Sequence, residues 1–408
     1  MEEQKDAFPQ QILDNNKKST VHLETGSIME EQSGLETEYA FEKSGAGFFV
    51  EPDKIITTVA VLETSDTAIA IRTDQFETKK NKQFGRRDQT QVKDEKEWFE
   101  IEGITAFDAT SNLALLKVDK IGVPLRIGNS DTIQTNDPVY ITGHNTEMGR
   151  YQGKTGYIQG RHSDKIRYDI KVEFITGAFG SPVFNKNNEV IGIATSGLDS
   201  NIEDHSTIHT VMVSSNVIET LLAKSGKVIP LSQLKKYGRV RAYTLESQGD
   251  EYADVFANRE ALNAYNSARK LNPGLCGIHA KIGRMKVRIG NLVGADRDFS
   301  KAIEENPYDI FSYNNRASAK CQLEDFQGAL DDLNKALQIN PDYILGNLNR
   351  GQIKYELAKI QIEQDNIDEA KQHYQEAIDD FTKLLRLNPK HTVARRRLRT
   401  AERTLKKL

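Results

Sequence analysis

The side chains able to serve as nucleophile and base lie in the middle of the chain. Ser181 stands in the run GAFGSPVF (177–184), and His144, His162, His205 and His209 are spread around it. A serine attacks a carbonyl only when a base takes its proton and a carboxylate orients that base. Ser181 sits between Gly180 and Pro182, where a small residue suits a tight turn. It is read as a turn residue, and the four histidines as surface or satisfied core residues. The two cysteines, Cys276 and Cys321, give neither a disulfide framework nor a metal-ligand spacing. No metal and no cofactor is expected.

Three runs give these residues a context. They are GFFVEPDKIITTVAVL (47–62), DATSNLALLKV (108–118) and GAFGSPVF (177–184). Together they resemble the three motif blocks of trypsin-fold serine proteases of the HtrA-like branch. The resemblance implies that the catalytic histidine, aspartate and serine would fall on Ala60, Asn112 and Phe179. It also implies an oxyanion hole from the backbone N–H groups of Gly177 and Phe179. Alanine cannot accept a proton, asparagine cannot stabilise an imidazolium, and phenylalanine has no nucleophile. The losses are mutually consistent, because a buried aspartate without its histidine would be an uncompensated charge. The expectation is a pseudo-protease, not an enzyme.

The elements around these blocks read as short strands. From about 19 to 213, β-branched runs such as KIITTVAV, TAIAIRT, DPVYITG and KIRYDIKV alternate with turn signals, a pattern of barrels or sandwiches. GNSDTIQTNDPVYITGHN (128–145) resembles the linker between the two barrels of HtrA-like proteases. The charged stretch 74–97 interrupts two strands and reads as a solvated loop or as a docking arm for a partner.

After 224–241 (KSGKVIPLSQLKKYGRVR) the periodicity becomes helical. Pro273, Pro307 and Pro341 recur every 34 residues, each preceded by a small–large apolar–small series: Ala261/Tyr265/Ala268, Ala295/Phe299/Ala302 and Ala329/Leu333/Ala336. This resembles the tetratricopeptide repeat, a helical hairpin that stacks into a solenoid. Pro389 follows Pro341 by 48 residues, which is read as a fourth hairpin whose two helices each gained about two turns. Ala394, Leu398, Ala401, Leu405 and Leu408 then mark the inner face of a capping helix with a basic outer face.

The fold class is therefore multidomain: an all-β trypsin-like double β-barrel (8–224), a linker (225–241), and an all-α tetratricopeptide solenoid (242–408). Such solenoids grip peptides or proteins in a groove lined by first helices, and repeat register places Arg284, Asn315, Arg316, Asn349 and Arg350 there. A carboxylate clamp for a partner's C-terminus is rejected, because Glu246, Asp250 and Leu345 occupy positions that need a base or an amide. A net charge of −4 argues against a nucleic-acid binder. The polar start MEEQKDAFPQQILDNN is no signal peptide, and no apolar run spans a bilayer; the expected location is the cytoplasm. The function expected is a non-catalytic adaptor or regulatory subunit in bacterial signalling or defence. It would bind proteins through the groove, the relict cleft or the 74–97 loop. Two alternatives stay open: a residual serine hydrolase with an atypical nucleophile, and a nucleic-acid-associated factor using the basic final helix.

Overall fold

Alternating burial builds two closed barrels from the β-branched runs. The computed structural model describes residues 9–29, 38–73, 98–145, 150–172, 179–197 and 208–408. After α1 (Gln10–Asn16), the first barrel uses β1 (Thr20–Met29), β2 (Glu38–Glu51), β3 (Lys54–Thr58), β4 (Thr67–Arg72), β5 (Trp98–Asp108) and β6 (Leu113–Val118). Their order around the barrel is β1-β2-β3-β6-β5-β4. One short helix, α2 (Val59–Leu62), leaves the end of β3. The second barrel uses β7 (Pro138–Asn145), β8 (Arg150–Arg161), β9 (Arg167–Val172), β10 (Pro182–Phe184), β11 (Val190–Gly197) and β12 (Ile208–Ser214), in the order β10-β11-β12-β9-β8-β7. Helix α3 (Asn216–Ala223) follows it.

The strand LALLKV of β6 is buried at all but one position because both of its faces are used. Leu113 and Leu115 join Phe184, Val190 and Ile193 of the second barrel in one apolar cluster. The interior of that second barrel is filled by Val139, Ile141, Ile158, Ile170, Val183 and Met212.

The remaining helices are α4 (Gly238–Asp254), α5 (Asn258–Leu271), α6 (Ile278–Arg288), α7 (Leu292–Glu305), α8 (Ile310–Gln322), α9 (Phe326–Ile339), α10 (Ile344–Glu363), α11 (Ile367–Leu387) and α12 (Thr392–Leu405). The chain divides into two compact units. One holds the barrels, residues up to Ser247 and the segment Ser267–Leu275; the other holds Gln248–Asn266 and everything from Cys276 onward.

Each helical hairpin closes on a small residue in its first helix. A side chain at Gly283 would meet the Phe299 ring at 2.8 Å, and one at Gly351 would meet Phe381 at the same distance. Helices α8 and α9 have 13 and 14 residues, whereas α10 and α11 have 20 and 21. The extra 14 residues are thus divided equally, as the sequence suggests, and the hairpin keeps its register. The added turns do not stand bare. Leu398, Leu405 and Leu408 pack with Ile362, Tyr355, Tyr374 and Phe381, and Ala394 and Ala401 are fully buried against the same pair. No helix among the described residues is long and apolar enough to cross a membrane.

Candidate functional site

The first and second sequence blocks meet at Asn112. This residue ends the β5–β6 loop in a left-handed conformation, with φ of 61°, which asparagine tolerates better than most residues. Its side-chain oxygen accepts the N–H of Ala60 at 3.0 Å, and its main-chain oxygen accepts the N–H of Val59 at 3.1 Å. The start of α2 is thereby capped from a residue far away in sequence. The side-chain amide of Asn112 donates to the Thr195 carbonyl on β11 at 3.3 Å. One asparagine ties both barrels together, using its acceptor on one side and its donor on the other.

The loop carrying Asn112 is held along its length. Asp108 accepts the Thr110 N–H and the Ser111 hydroxyl, each at 2.9 Å. The Ala109 carbonyl accepts the Tyr243 hydroxyl at 2.7 Å and the Asn272 amide at 3.1 Å. Arg167 donates to the Thr110 carbonyl, and Arg239 to the Thr110 hydroxyl at 3.2 Å.

The third block arrives from the other barrel. The Phe179 carbonyl accepts the Ala46 N–H at 2.8 Å, and the Gly180 N–H donates to Ala194 at 2.7 Å. Gly180 has φ of 90°, and a side chain there would collide with the Ala46 carbonyl, so only glycine fits. The Phe179 ring is 40% exposed, while Ser181 is 1% exposed and its hydroxyl has no partner among the described residues. Ser181 is thus a small buried residue beside a tight turn. A side chain at Gly45 would lie 3.4 Å from the Phe179 carbonyl and would also strike Val61 of α2. Ala60, Asn112 and Phe179 are therefore brought to one place from α2, the β5–β6 loop and the turn before β10.

Among the histidines, His162 lies buried at the β8–β9 turn, where its N–H bonds the Arg167 carbonyl at 2.9 Å. Burial holds its imidazole below the ordinary value, against the opposing pull of Asp169 and Asp164. His205 and Gly177 lie outside the described residues, as does the 74–97 stretch; His144 and His209 are described only as positions on β7 and β12. Among the described residues no group of three or more His, Cys, Asp or Glu side chains is placed to hold a metal ion.

One residue beside this site is absent from the sequence reading. Glu63 follows α2 directly, is 2% exposed, pairs with Lys43 and accepts the Ser247 hydroxyl at 3.2 Å. Burial pushes its carboxyl up, and the Lys43 ammonium only partly offsets this. Its place after VAVL gave a signal of proximity, but nothing local announces a partner 184 residues away.

In the helical unit, the five groove candidates separate into two kinds. Arg316 makes a two-pronged bond to Asp332, at 2.9 and 2.6 Å, and reaches Ser300 at 2.9 Å. Arg350 repeats this with Asp380, at 3.0 and 2.5 Å, and with Asn334 at 2.8 Å. These guanidinium groups face second helices, so a partner would meet them as parts of a network. Asn349 donates to Asn314 at 2.8 Å, and Asn315 is half-buried. Arg284 is also half-buried; burial, with Arg288 nearby, holds its guanidinium down to about 10.

Two closed barrels with these blocks at their junction, followed by paired helices at a 34-residue period, define a trypsin-like domain joined to a helical-repeat array. Comparison with known proteins agrees. Residues 45–193, which include all three junction positions, match the trypsin-like peptidase domain, and residues 310–343 and 351–379 each match the tetratricopeptide repeat. The chain thus carries a trypsin-like peptidase domain followed by tetratricopeptide repeats.

Glutamyl endopeptidases of Staphylococcus aureus strains MW2 and MSSA476 are each 30% identical over 114 residues, covering 24% of this chain and 33% of those proteins. The chain therefore spans about a third of the length of the curated relatives it matches. Among solved structures, the Rv3671c protease from M. tuberculosis in its active form is similar at a TM-score of 0.39 and 17% identity. That match covers 54% of this chain and 86% of the protease chain.

Proposed function

We propose that this protein is a non-catalytic, protein-binding adaptor or regulatory subunit. In this reading the trypsin-like domain is a pseudo-protease and the tetratricopeptide array grips a partner protein. The observation that carries it is the use made of Asn112. Its oxygen is spent on the Ala60 N–H and its amide on the Thr195 carbonyl. An aspartate there could not donate to Thr195, and a histidine at 60 would be needed before an aspartate had a base to orient. The side chain at this junction thus serves the scaffold rather than proton transfer. Phe179 supports the same reading, since it offers apolar surface where attack on a carbonyl would need an oxygen or sulfur nucleophile.

For the partner, the groove residues are Asn315, Asn349 and Arg284, with Arg316 and Arg350 behind them as positioning residues. A cytoplasmic setting, in bacterial signalling or defence, fits two cysteines that form no disulfide framework.

The test is labelling of the full chain with a fluorophosphonate probe, beside its Ser181→Ala variant and a heat-denatured control. The expected result is no labelling above the denatured control. Labelling of the native chain that disappears in Ser181→Ala would establish a residual hydrolase and end the adaptor reading of the barrels.

A further inference from the structure

The cations of α12 differ from three lysines at matching places in the hairpins before it. Those three point inward: Lys286, Lys320 and Lys354 pair with Asp298, Asp332 and Asp380. On α12, Arg397 lies over the Tyr355 ring at 5.4 Å, and Arg395 bonds the Pro389 carbonyl. Arg396, Arg399 and Arg403, with Lys406 and Lys407 just past the helix, are exposed and have no ion-pair partner among the described residues. The opposite face is filled, because Ala394 and Ala401 are buried and Leu398, Leu405 and Leu408 pack on the neighbouring hairpin. The helix therefore has no apolar face left to enter a membrane surface.

The helix dipole accounts for only part of this pattern. Cations are favoured near a C-terminus, which suits Arg403, Lys406 and Lys407. Arg395 and Arg396 lie in the N-terminal half, where the dipole does not favour them, and the first turn has no acidic residue. Arg395 with Arg399, and Arg399 with Arg403, are like-charge pairs at i, i+4, which weaken a helix. The arrangement opposes the stability of its own helix and leaves the charges to solvent. An external anion would relieve both effects.

We infer that the exposed face of α12 is a docking surface for an acidic α-helical segment of a partner protein. Arg396, Arg399 and Arg403 follow one another at i, i+3 and i+7, so they form a line about 10 Å long with steps of about 4.5 and 6 Å. Carboxylates on one face of a partner helix repeat with the same steps, so each guanidinium fork can take one carboxylate. Nucleic acid fits less well. The arc carries no aromatic side chain for base stacking. Thr400 and Thr404, the hydroxyls along the helix, bond their own backbone at 3.0 Å each. Residues 392–408 hold seven cations and one acid, a net of +6, so against the whole-chain −4 the rest of the chain carries −10. A long polyanion would meet that repulsion, whereas a short helix meets the arc alone. The proposal does not depend on whether the barrels are inactive.

Fluorescence anisotropy with the full chain tests this at about 0.1 M salt. The probes are an alanine-based helical peptide with Glu along one face, a peptide of the same charge interrupted by prolines, and a single-stranded RNA. The helical peptide should bind, the interrupted peptide at least about ten-fold more weakly, and the RNA more weakly than the helical peptide. An Arg396→Glu/Arg399→Glu/Arg403→Glu variant, with helicity checked by circular dichroism, should lose at least about ten-fold. Equal binding of the two peptides, preference for RNA, binding that survives the triple variant, or no binding at all would each overturn the proposal.

Discussion

The barrel junction and the helical array use polar side chains in opposite ways. At the junction one asparagine is used once, and its partners Ala60 and Thr195 lie 52 and 83 residues away. In the array the same bond is made again and again: Asp298, Asp332 and Asp380 of the second helices each receive cations from the first helix of their own hairpin. Arg316 and Arg350 also reach back 16 residues, to Ser300 and Asn334. The junction is a single non-local staple, so its loss is local to one site. The array is a ladder of near neighbours, so each rung resembles the next and stability is close to a sum over hairpins.

If the two units are separately held, a core cavity in the array should melt the array alone. Phe381 is fully buried against Gly351 in the extended hairpin. Phe381→Ala should cost about 3–5 kcal/mol of array stability. Far-ultraviolet circular dichroism follows the helices, and the fluorescence of the single tryptophan, Trp98 at the start of β5, follows the barrels. The helical transition should shift while the tryptophan transition stays. Coincident shifts by both probes would make the two units one cooperative body.

The period explains what the sequence made legible. Strand alternation and three motif blocks sufficed for two barrels, and three prolines at 34 residues sufficed for the hairpins. Even the equal division of 14 extra residues agrees with the reading of the 48-residue gap between Pro341 and Pro389. The staples were not legible. Thr195 carries no mark that its carbonyl will meet Asn112, and Glu63 none that it will meet Lys43 and Ser247. For Arg316 and Arg350 the register gave the helix position but not the partner. Nothing local in the sequence shows that each guanidinium will fork onto the buried aspartate of its own second helix, 16 and 30 residues on.

The junction staple has a direct test, smaller than the cavity. Asn112→Asp keeps the shape and the acceptor to Ala60 but removes the donor to Thr195 and sets a carboxylate oxygen against a carbonyl. The expected loss is about 1–3 kcal/mol of barrel stability at neutral pH, read by denaturant titration of Trp98 fluorescence. The circular dichroism transition of the array should not move. A variant as stable as the parent would show that the amide's second bond contributes nothing, and the comparison with the ladder would then fail on the barrel side.

The smallest effect separates the two regions by sign. Burial alone would raise the Asp298 carboxyl, but hydrogen bonds from His279 and Lys286 outweigh it and leave the group below its ordinary value. A depressed carboxyl stabilises the fold above the unfolded value of about 3.9 and loses that contribution as pH falls through the folded value. Glu63 is raised, so its contribution is present below the unfolded value of about 4.3 and is lost as pH rises through the higher folded value. As pH falls, Glu63 should therefore become favourable to the barrels first, above about 4.3, and the array's Asp298 rung should weaken afterwards, below about 3.9. Comparing each parent transition with Asp298→Asn and Glu63→Gln between about pH 3 and 7 isolates the two terms. Asp298→Asn should flatten the acid loss seen by circular dichroism, and Glu63→Gln should remove the loss seen by Trp98 as pH rises. Slopes of the same sign for both groups would mean that Lys43 governs Glu63 more strongly than burial does, making the barrel site a paired rung like those of the array.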